Sequence, residues 1–324
     1  MSLLRIHNLQ KIYPAQRSLF GFGAKKGTDF IAVNGISFEL APGEVLGFLG
    51  PNGAGKTTTM HMLLGILTPT AGSITYFGKD FAKHRSEILQ SVGFASAYTR
   101  LPGRLTIYEN LSIYARLYAV PEHERSGRIK QFLQAFGMWE LRNKEVAGLS
   151  AGQLTRIMLA KAFIPQPKIV LLDEPTASLD PDIAREVRHF IAQQQKEYGT
   201  AILFASHNMQ EVSDVCNRVL VLQNGNIIAS DTPKNLSATV SKARVELIII
   251  DGLERALAYA QEKKLSFTVQ EHLVAIEVDE HAIAKLLADL AQLAIGYSSI
   301  NITKPTLEDY FLQIATQGRV RSVN

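Results

Sequence analysis

The chain has 324 residues, 46% of them hydrophobic and 20% charged, a balance that excludes a largely disordered protein and suits two domains better than one. Lys and Arg number 34 against 30 Asp and Glu, a net charge of +4 with no basic block, so nothing argues for a nucleic acid partner. A lone cysteine, Cys216, excludes an internal disulfide and a cysteine-held metal cluster, and the longest apolar runs are far shorter than the roughly 20 residues of a membrane span.

In chain order, residues 31–40 alternate loosely and end in the turn Ala41-Pro42-Gly43-Glu44. Val45–Leu49 reads as a buried strand, followed by a glycine-rich loop and a helix from near Lys56, the opening of an α/β nucleotide-binding unit. The stretch 86–165 is mostly helical in pattern with no comparable strand, and reads as a helical subdomain inserted into that core. Residues 169–172 form a second buried strand leading to Asp173-Glu174-Pro175. An amphipathic helix then carries Ile183, Val187, Phe190 and Ile191 on one face, with Asp180 suited to the N-cap and Pro181 to the first turn.

Residues 200–205 read as a third buried strand, and 219–229 as a hairpin closed by Asn224-Gly225. A polar stretch separates a first domain, 1–235, from a second, 242–324. The second domain predicts strand 244–250, helix 253–263, strands 265–270 and 273–278, helix 281–293 and strand 298–303. That is the β-α-β-β-α-β order of a small α+β ferredoxin-like fold, with a last helix over about 306–314. The N-terminal residues lack the layout of a secretion signal, so the chain is expected to be soluble and intracellular.

Gly50-Pro51-Asn52-Gly53-Ala54-Gly55-Lys56-Thr57 fits G-x-x-x-x-G-K-[ST]. The glycines let successive backbone N–H groups face phosphate oxygens, and the helix that follows adds its positive end. Lys56 would neutralise the phosphates, and the Thr57 hydroxyl would ligate Mg²⁺. Asp173 and Glu174 end a greasy strand, where Asp173 suits the Mg²⁺ carboxylate and Glu174 a base that orients or deprotonates an attacking water. His207 follows another strand and could touch the same γ-phosphate. A guanine-reading N-K-x-D is missing, since Asn143-Lys144 runs on to Glu145-Val146, so ATP hydrolysis fits better. Leu149-Ser150-Ala151-Gly152-Gln153 opens a helix whose N-terminus again suits an anion.

With these motifs in order, the chain resembles the ATPase subunits of ATP-binding cassette (ABC) transporters over roughly residues 3–233. The resemblance implies a RecA-like P-loop core. Gly50 to Thr58 is similar to the Walker A motif, including Thr58, 169–174 to Walker B, and 149–153 to the family signature. By the same resemblance Ser178, Leu179 and Asp180 are the D-loop, His207 the switch histidine, and Tyr13 the ring that stacks on adenine. The segment from Lys304 to Leu312 resembles the close of type 2 exporter ATPases of the drug-resistance kind.

The family likeness further implies a head-to-tail dimer in which Ser150, Ala151, Gly152 and Gln153 of one copy act on nucleotide held by the other. Separate transmembrane permease subunits would dock near 97–106, which places the chain in the cytoplasm on the inner face of the cell membrane. Two positions depart from the pattern. Ala151 replaces the usual glycine, and Ala97 stands where the family has the Q-loop glutamine that contacts Mg²⁺ and the membrane partner. The rival readings are a soluble ABC-type ATPase of ribosomes or DNA repair and a regulatory cassette with little turnover.

Overall fold

In the computed structural model, which describes residues 2–15, 28–96, 100–177, 179–240, 242–311 and 314, the chain divides into two units, Met1–Thr232 and Pro233–Asn324. The first unit opens with β1 (Leu4–Tyr13), β2 (Phe30–Leu40), β3 (Val45–Leu49), α1 (Lys56–Leu63), β4 (Ala71–Tyr76), β5 (Lys79–Asp80), α2 (Phe81–Leu89) and β6 (Val92–Ser96). Three helices follow, α3 (Ile107–Leu117), α4 (Glu122–Ala135) and α5 (Ala151–Phe163). The unit closes with β7 (Ile169–Asp173), α6 (Pro181–Tyr198), β8 (Ala201–Ser206), α7 (Met209–Val215), β9 (Arg218–Gln223) and β10 (Asn226–Asp231).

Two sheets result, an antiparallel one of order β2-β1-β4-β5 and a six-stranded one of order β10-β9-β3-β8-β7-β6. In the larger sheet only β10 runs antiparallel to its neighbour. β3, β7 and β8 are buried at every position, which is why their sequences are unbroken apolar runs rather than alternating ones. Phe38 of β2 meets Phe48 of β3 edge-on, with ring centroids 5.1 Å apart, and Met60 and Leu63 of α1 join the same core.

The parallel register places Leu49 opposite Ser206, and Asp173 opposite Ala205. The loops after β3, β7 and β8 therefore leave the sheet side by side at its carboxyl edge, where open α/β sheets hold their ligands.

The helical stretch needs one correction. Val92–Ser96, inside the range 86–165 read as mostly helical with no comparable strand, is an edge strand paired in parallel with β7. Five residues containing Gly93 and Ala95 carry no β-branched run, and only pairing with β7 makes them a strand. The helices proper begin at α3, started by a capping box between Thr106 and Glu109. Phe132, Phe136 and Phe163 converge on Phe190 of α6 with centroid distances of 6.2, 4.6 and 5.0 Å, which fastens α4 and α5 to α6.

α6 buries Ala184, Val187, Phe190 and Ile191, as its pattern predicts, with Ile183 half-buried beside them. Asp180 occupies the N-cap ahead of Pro181, but its carboxylate makes no capping hydrogen bond. Between β9 and β10, Asn224 and Gly225 both take positive φ, 49° and 76°, the primed turn that a two-residue hairpin needs. Gly225 N–H donates to Ala54 O at 3.2 Å, so this turn braces the glycine loop from behind.

The second unit holds α8 (Pro233–Ala238), β11 (Lys242–Asp251), α9 (Leu253–Glu262), β12 (Ser266–Gln270), β13 (Leu273–Asp279), α10 (Ile283–Gln292) and β14 (Gly296–Thr303). Its sheet has the order β12-β13-β11-β14 with every neighbour antiparallel. Val245, Leu247 and Ile249 from one face of β11 pack with Ile276, Ala256, Leu286 and Leu290 as its core. The expected last helix is described only over 307–311 and 314.

Candidate functional site

The glycine loop between β3 and α1 has little freedom to carry side chains. A Cβ on Gly50 would stand 2.4 Å from Leu222 O, and one on Gly55, at φ 105°, would stand 2.6 Å from Ala32 O. Gly55 is also the N-cap of α1, where it offers no side-chain cap. The first-turn N–H groups of α1 have no intrahelical partner, so the helix start presents unsatisfied donors and the positive end of its dipole together.

Lys56 is buried, and its ammonium donates to Gly50 O at 2.6 Å and Pro51 O at 3.3 Å. Burial holds its pKa below the usual lysine value, while the charges of Glu174 and Asp173 pull the other way. Residues 51–58 of the loop and helix start share one cleft with Phe30, Ala32 and Glu174.

Asp173 is the last residue of β7 and is 1% exposed, and its Oδ1 has no hydrogen-bond partner. Burial raises its pKa, with a hydrogen bond from Thr57 acting against that rise. A buried carboxylate oxygen left unpaired beside a threonine hydroxyl is the donor set a hard cation takes, and both are oxygen ligands as Mg²⁺ prefers. Among the described residues no three His, Cys, Asp or Glu side chains gather into a metal cage. A cation here would complete its shell with phosphate oxygens and water.

Glu174 is buried and has φ 53°, a left-handed backbone that costs a non-glycine residue roughly 1 kcal/mol. Its N–H donates to Ala205 O at 2.9 Å, pinning the strained residue across to β8. Its Oε2 lies 2.8 Å from His207 Nδ1, so the two side chains predicted to act at one phosphate are in fact paired. The arrangement can receive a proton at Glu174 and hold the imidazole in a fixed orientation.

The signature segment also folds locally. Ser150 is the N-cap of α5, its Oγ accepting from Gln153 N at 3.2 Å while Gln153 Oε1 accepts from Ser150 N at 3.1 Å. Ala151 opens the helix and is not among the residues with positive φ, so its Cβ costs no backbone strain. Ser150 and Ala151 are exposed, and none of the four signature residues lines the cleft around Lys56.

Of the D-loop residues, Leu179 and Asp180 lead into α6, and Ser178 lies outside the described residues, as does Ala97. Tyr13 ends β1, half-exposed, with its ring 6.4 Å from that of Phe30 and nearly parallel to it. Sequence reasoning missed Phe30, which pairs with Tyr13 in register and reaches the cleft. No spacing rule links two residues joined only by an antiparallel register across an intervening segment.

The ABC transporter family matches residues 33–177, and an AAA-domain family also matches over 144–213. The ABC transporter ATP-binding protein NatA of Bacillus subtilis is 37% identical over 228 residues, which is 70% of this chain and 92% of that one. The chain belongs to the ABC transporter family as one of its ATP-binding subunits. It is an ATPase of that family. The bacitracin transport ATP-binding protein BcrA of Bacillus licheniformis is 29% identical, over 92% of this chain and 95% of its own. Among solved structures, cbiO1 of Clostridium perfringens, part of the ABC transporter complex cbiONQ, superposes with TM-score 0.61 at 30% identity. That match covers 73% of this chain and 91% of cbiO1.

Proposed function

We propose that this ABC ATPase powers an exporter of the drug-resistance kind, working on separate membrane-spanning permease subunits from the cytoplasmic face of the cell membrane. Relatives named for bacitracin transport and linearmycin resistance support export. Among the described residues no helix is long and apolar enough to cross a membrane, so the spanning would fall to partner chains. The second unit would be a ferredoxin-like accessory domain following a nucleotide-binding domain, a reading its β-α-β-β-α-β order and antiparallel strand order support.

The single observation that carries the hydrolytic reading is the Glu174–His207 pair at 2.8 Å, with Glu174 on the wall of the cleft formed by Lys56 and Thr57. The backbone of 51–58 binds the triphosphate of ATP, and Lys56 leaves its two carbonyl partners to neutralise the β- and γ-phosphates. Thr57 and Asp173 would hold Mg²⁺, which when bound neutralises phosphate charge. Glu174 orients the attacking water and takes its proton, and His207 keeps Glu174 aimed at the γ-phosphate. Tyr13 stacks on adenine. Ser150, exposed and absent from its own cleft, serves nucleotide on a second copy in a head-to-tail dimer.

Glu174→Gln tests this. The amide keeps the shape and the hydrogen bond but cannot accept a proton, so turnover should fall by roughly 100-fold or more while ATP affinity is retained. Equal steady-state ATPase rates in wild type and variant would sink the proposal.

A further inference from the structure

Glu211, on α7, is buried at 6% exposure and has no part in the chemistry described so far. Its Oε2 accepts a hydrogen bond from Thr176 Oγ1 at 2.5 Å and another from Ser206 Oγ at 3.3 Å. Its Oε1 lies 3.8 Å from Arg188 Nη1, and Arg188 Nε is 3.4 Å from Asp214 Oδ2, so the charge is balanced from α6. Burying a carboxylate is costly unless it is paired and bonded in this way.

The positions of these partners give the cluster its meaning. Thr176 sits two residues beyond Glu174, and Ser206 immediately precedes His207. With the Glu174–His207 contact, the chain of bonds closes into a ring that runs Glu174, Thr176, Glu211, Ser206, His207 and back. Ser206 Oγ also accepts from Asn208 N at 3.0 Å, and Asn208 Oδ1 accepts from Glu211 N at 3.1 Å, so His207 is held on both sides. On the other arm, Thr176 O accepts from Leu179 N at 3.0 Å, at the entry to α6.

A residue at φ 53° keeps that backbone only where its surroundings over-determine it. Glu174 has its own backbone bond to β8, but the turn that follows it is tied to the His207 turn through Glu211.

We propose that Glu211 is a positioning residue for ATP hydrolysis: it locks the turn after Glu174 to the turn carrying His207, so that the water-activating pair is set as one unit. The proposal rests on the hydrolytic reading above. It differs in placing control of the pair on a side chain that touches neither nucleotide nor water.

Thr176→Val tests it, because valine keeps the volume and removes only the donor to Glu211. In the full-length protein with Mg²⁺ and ATP, kcat should fall about tenfold with KM for ATP within about twofold of wild type, and Thr176→Ser should restore it. Thr176→Val added to Glu174→Gln should cause no further loss, since the brace acts through Glu174. Glu211→Gln keeps the acceptor for both hydroxyls and should stay within about threefold of wild type. Ser206→Ala, which breaks the other bond of the ring, should show the same kcat loss, and it serves if Thr176→Val does not fold.

Thr176→Val or Ser206→Ala with a lowered Tm but wild-type kcat would make the cluster merely structural and overturn the inference. Wild-type protein that hydrolyses no ATP would overturn the hydrolytic reading instead.

Discussion

Two helices of the first unit, α1 and α5, begin differently. α1 starts at Gly55, with no side chain to cap it, a positive φ, and unsatisfied first-turn N–H groups. α5 starts at Ser150, whose capping box with Gln153 already satisfies two of the donors at its N-terminus. At the start of α1 the fold supplies no side-chain cap, and the Lys56 ammonium donates to the carbonyls of Gly50 and Pro51. The start of α5 is capped within its own turn, and Ser150 there is exposed. Under the proposed function, this difference would separate a helix start that binds nucleotide by itself from one that only closes over nucleotide held by a second copy.

The two helices also each bury a lysine, and the contrast repeats. Lys56 has the carboxylates Glu174 and Asp173 to offset its burial. Lys161, 5% exposed near the end of α5, faces the Tyr114 ring at 5.1 Å, and burial brings its pKa down to about 8.

The largest expected effect breaks the α1 seat. Lys56→Ala should lower ATPase turnover by roughly 100- to 1,000-fold, as loss of one preorganised donor to the transferring phosphate does, and should weaken ATP binding measured by equilibrium titration. If nucleotide affinity were untouched, the α1 end would not be the primary seat.

The next effect concerns stability and pH. Between pH 8 and 10.5 the folded chain has released the Lys161 proton that the unfolded chain retains, so unfolding takes up a proton and stability rises with pH across that window. Below pH 8 the ammonium is charged in both states and its burial cost is present in full, at most about 3 kcal/mol. Lys161→Met should therefore melt higher than wild type at pH 7, and the gap in Tm should close as pH is raised to 10. A gap that stayed constant would show that Lys161 is not held deprotonated by burial.

The smallest effect sharpens the α5 seat. Ser150→Ala removes the cap and should cost about 1 kcal/mol of stability, with about a tenfold fall in kcat and little change in the affinity of a single protomer for ATP. Equal falls in affinity and kcat would place Ser150 in its own protomer's site and remove the case for the head-to-tail pair.

Much of this site was legible in the residues because its chemistry is local. Gly55 must be glycine for a backbone angle and a close approach to β2, and Ser150 with Gln153 caps a helix across one turn. The acids Asp173 and Glu174 stood out by ending an apolar run. Val92–Ser96 could not be read as a strand, because what makes it one is β7 alongside it. Phe30 was invisible beside Tyr13 for the same reason, and the Thr176–Glu211 bond spans two segments that no local pattern connects.

By itself, then, the amino-acid order pointed to the glycine loop as a candidate phosphate seat, to Asp173 and Glu174 at the end of a buried strand, and to the helix start at Ser150, since each reading depends on φ, on side-chain type or on contacts within one turn. The tertiary structure alone decided that Glu174 meets His207, that Asp173 is buried with an unpaired oxygen, and that Glu211 joins the two turns. Those pairings follow from the side-by-side order β3-β8-β7 and its parallel register. Crossover helices of variable length separate these strands in the chain, so spacing along it cannot encode which strand ends become neighbours.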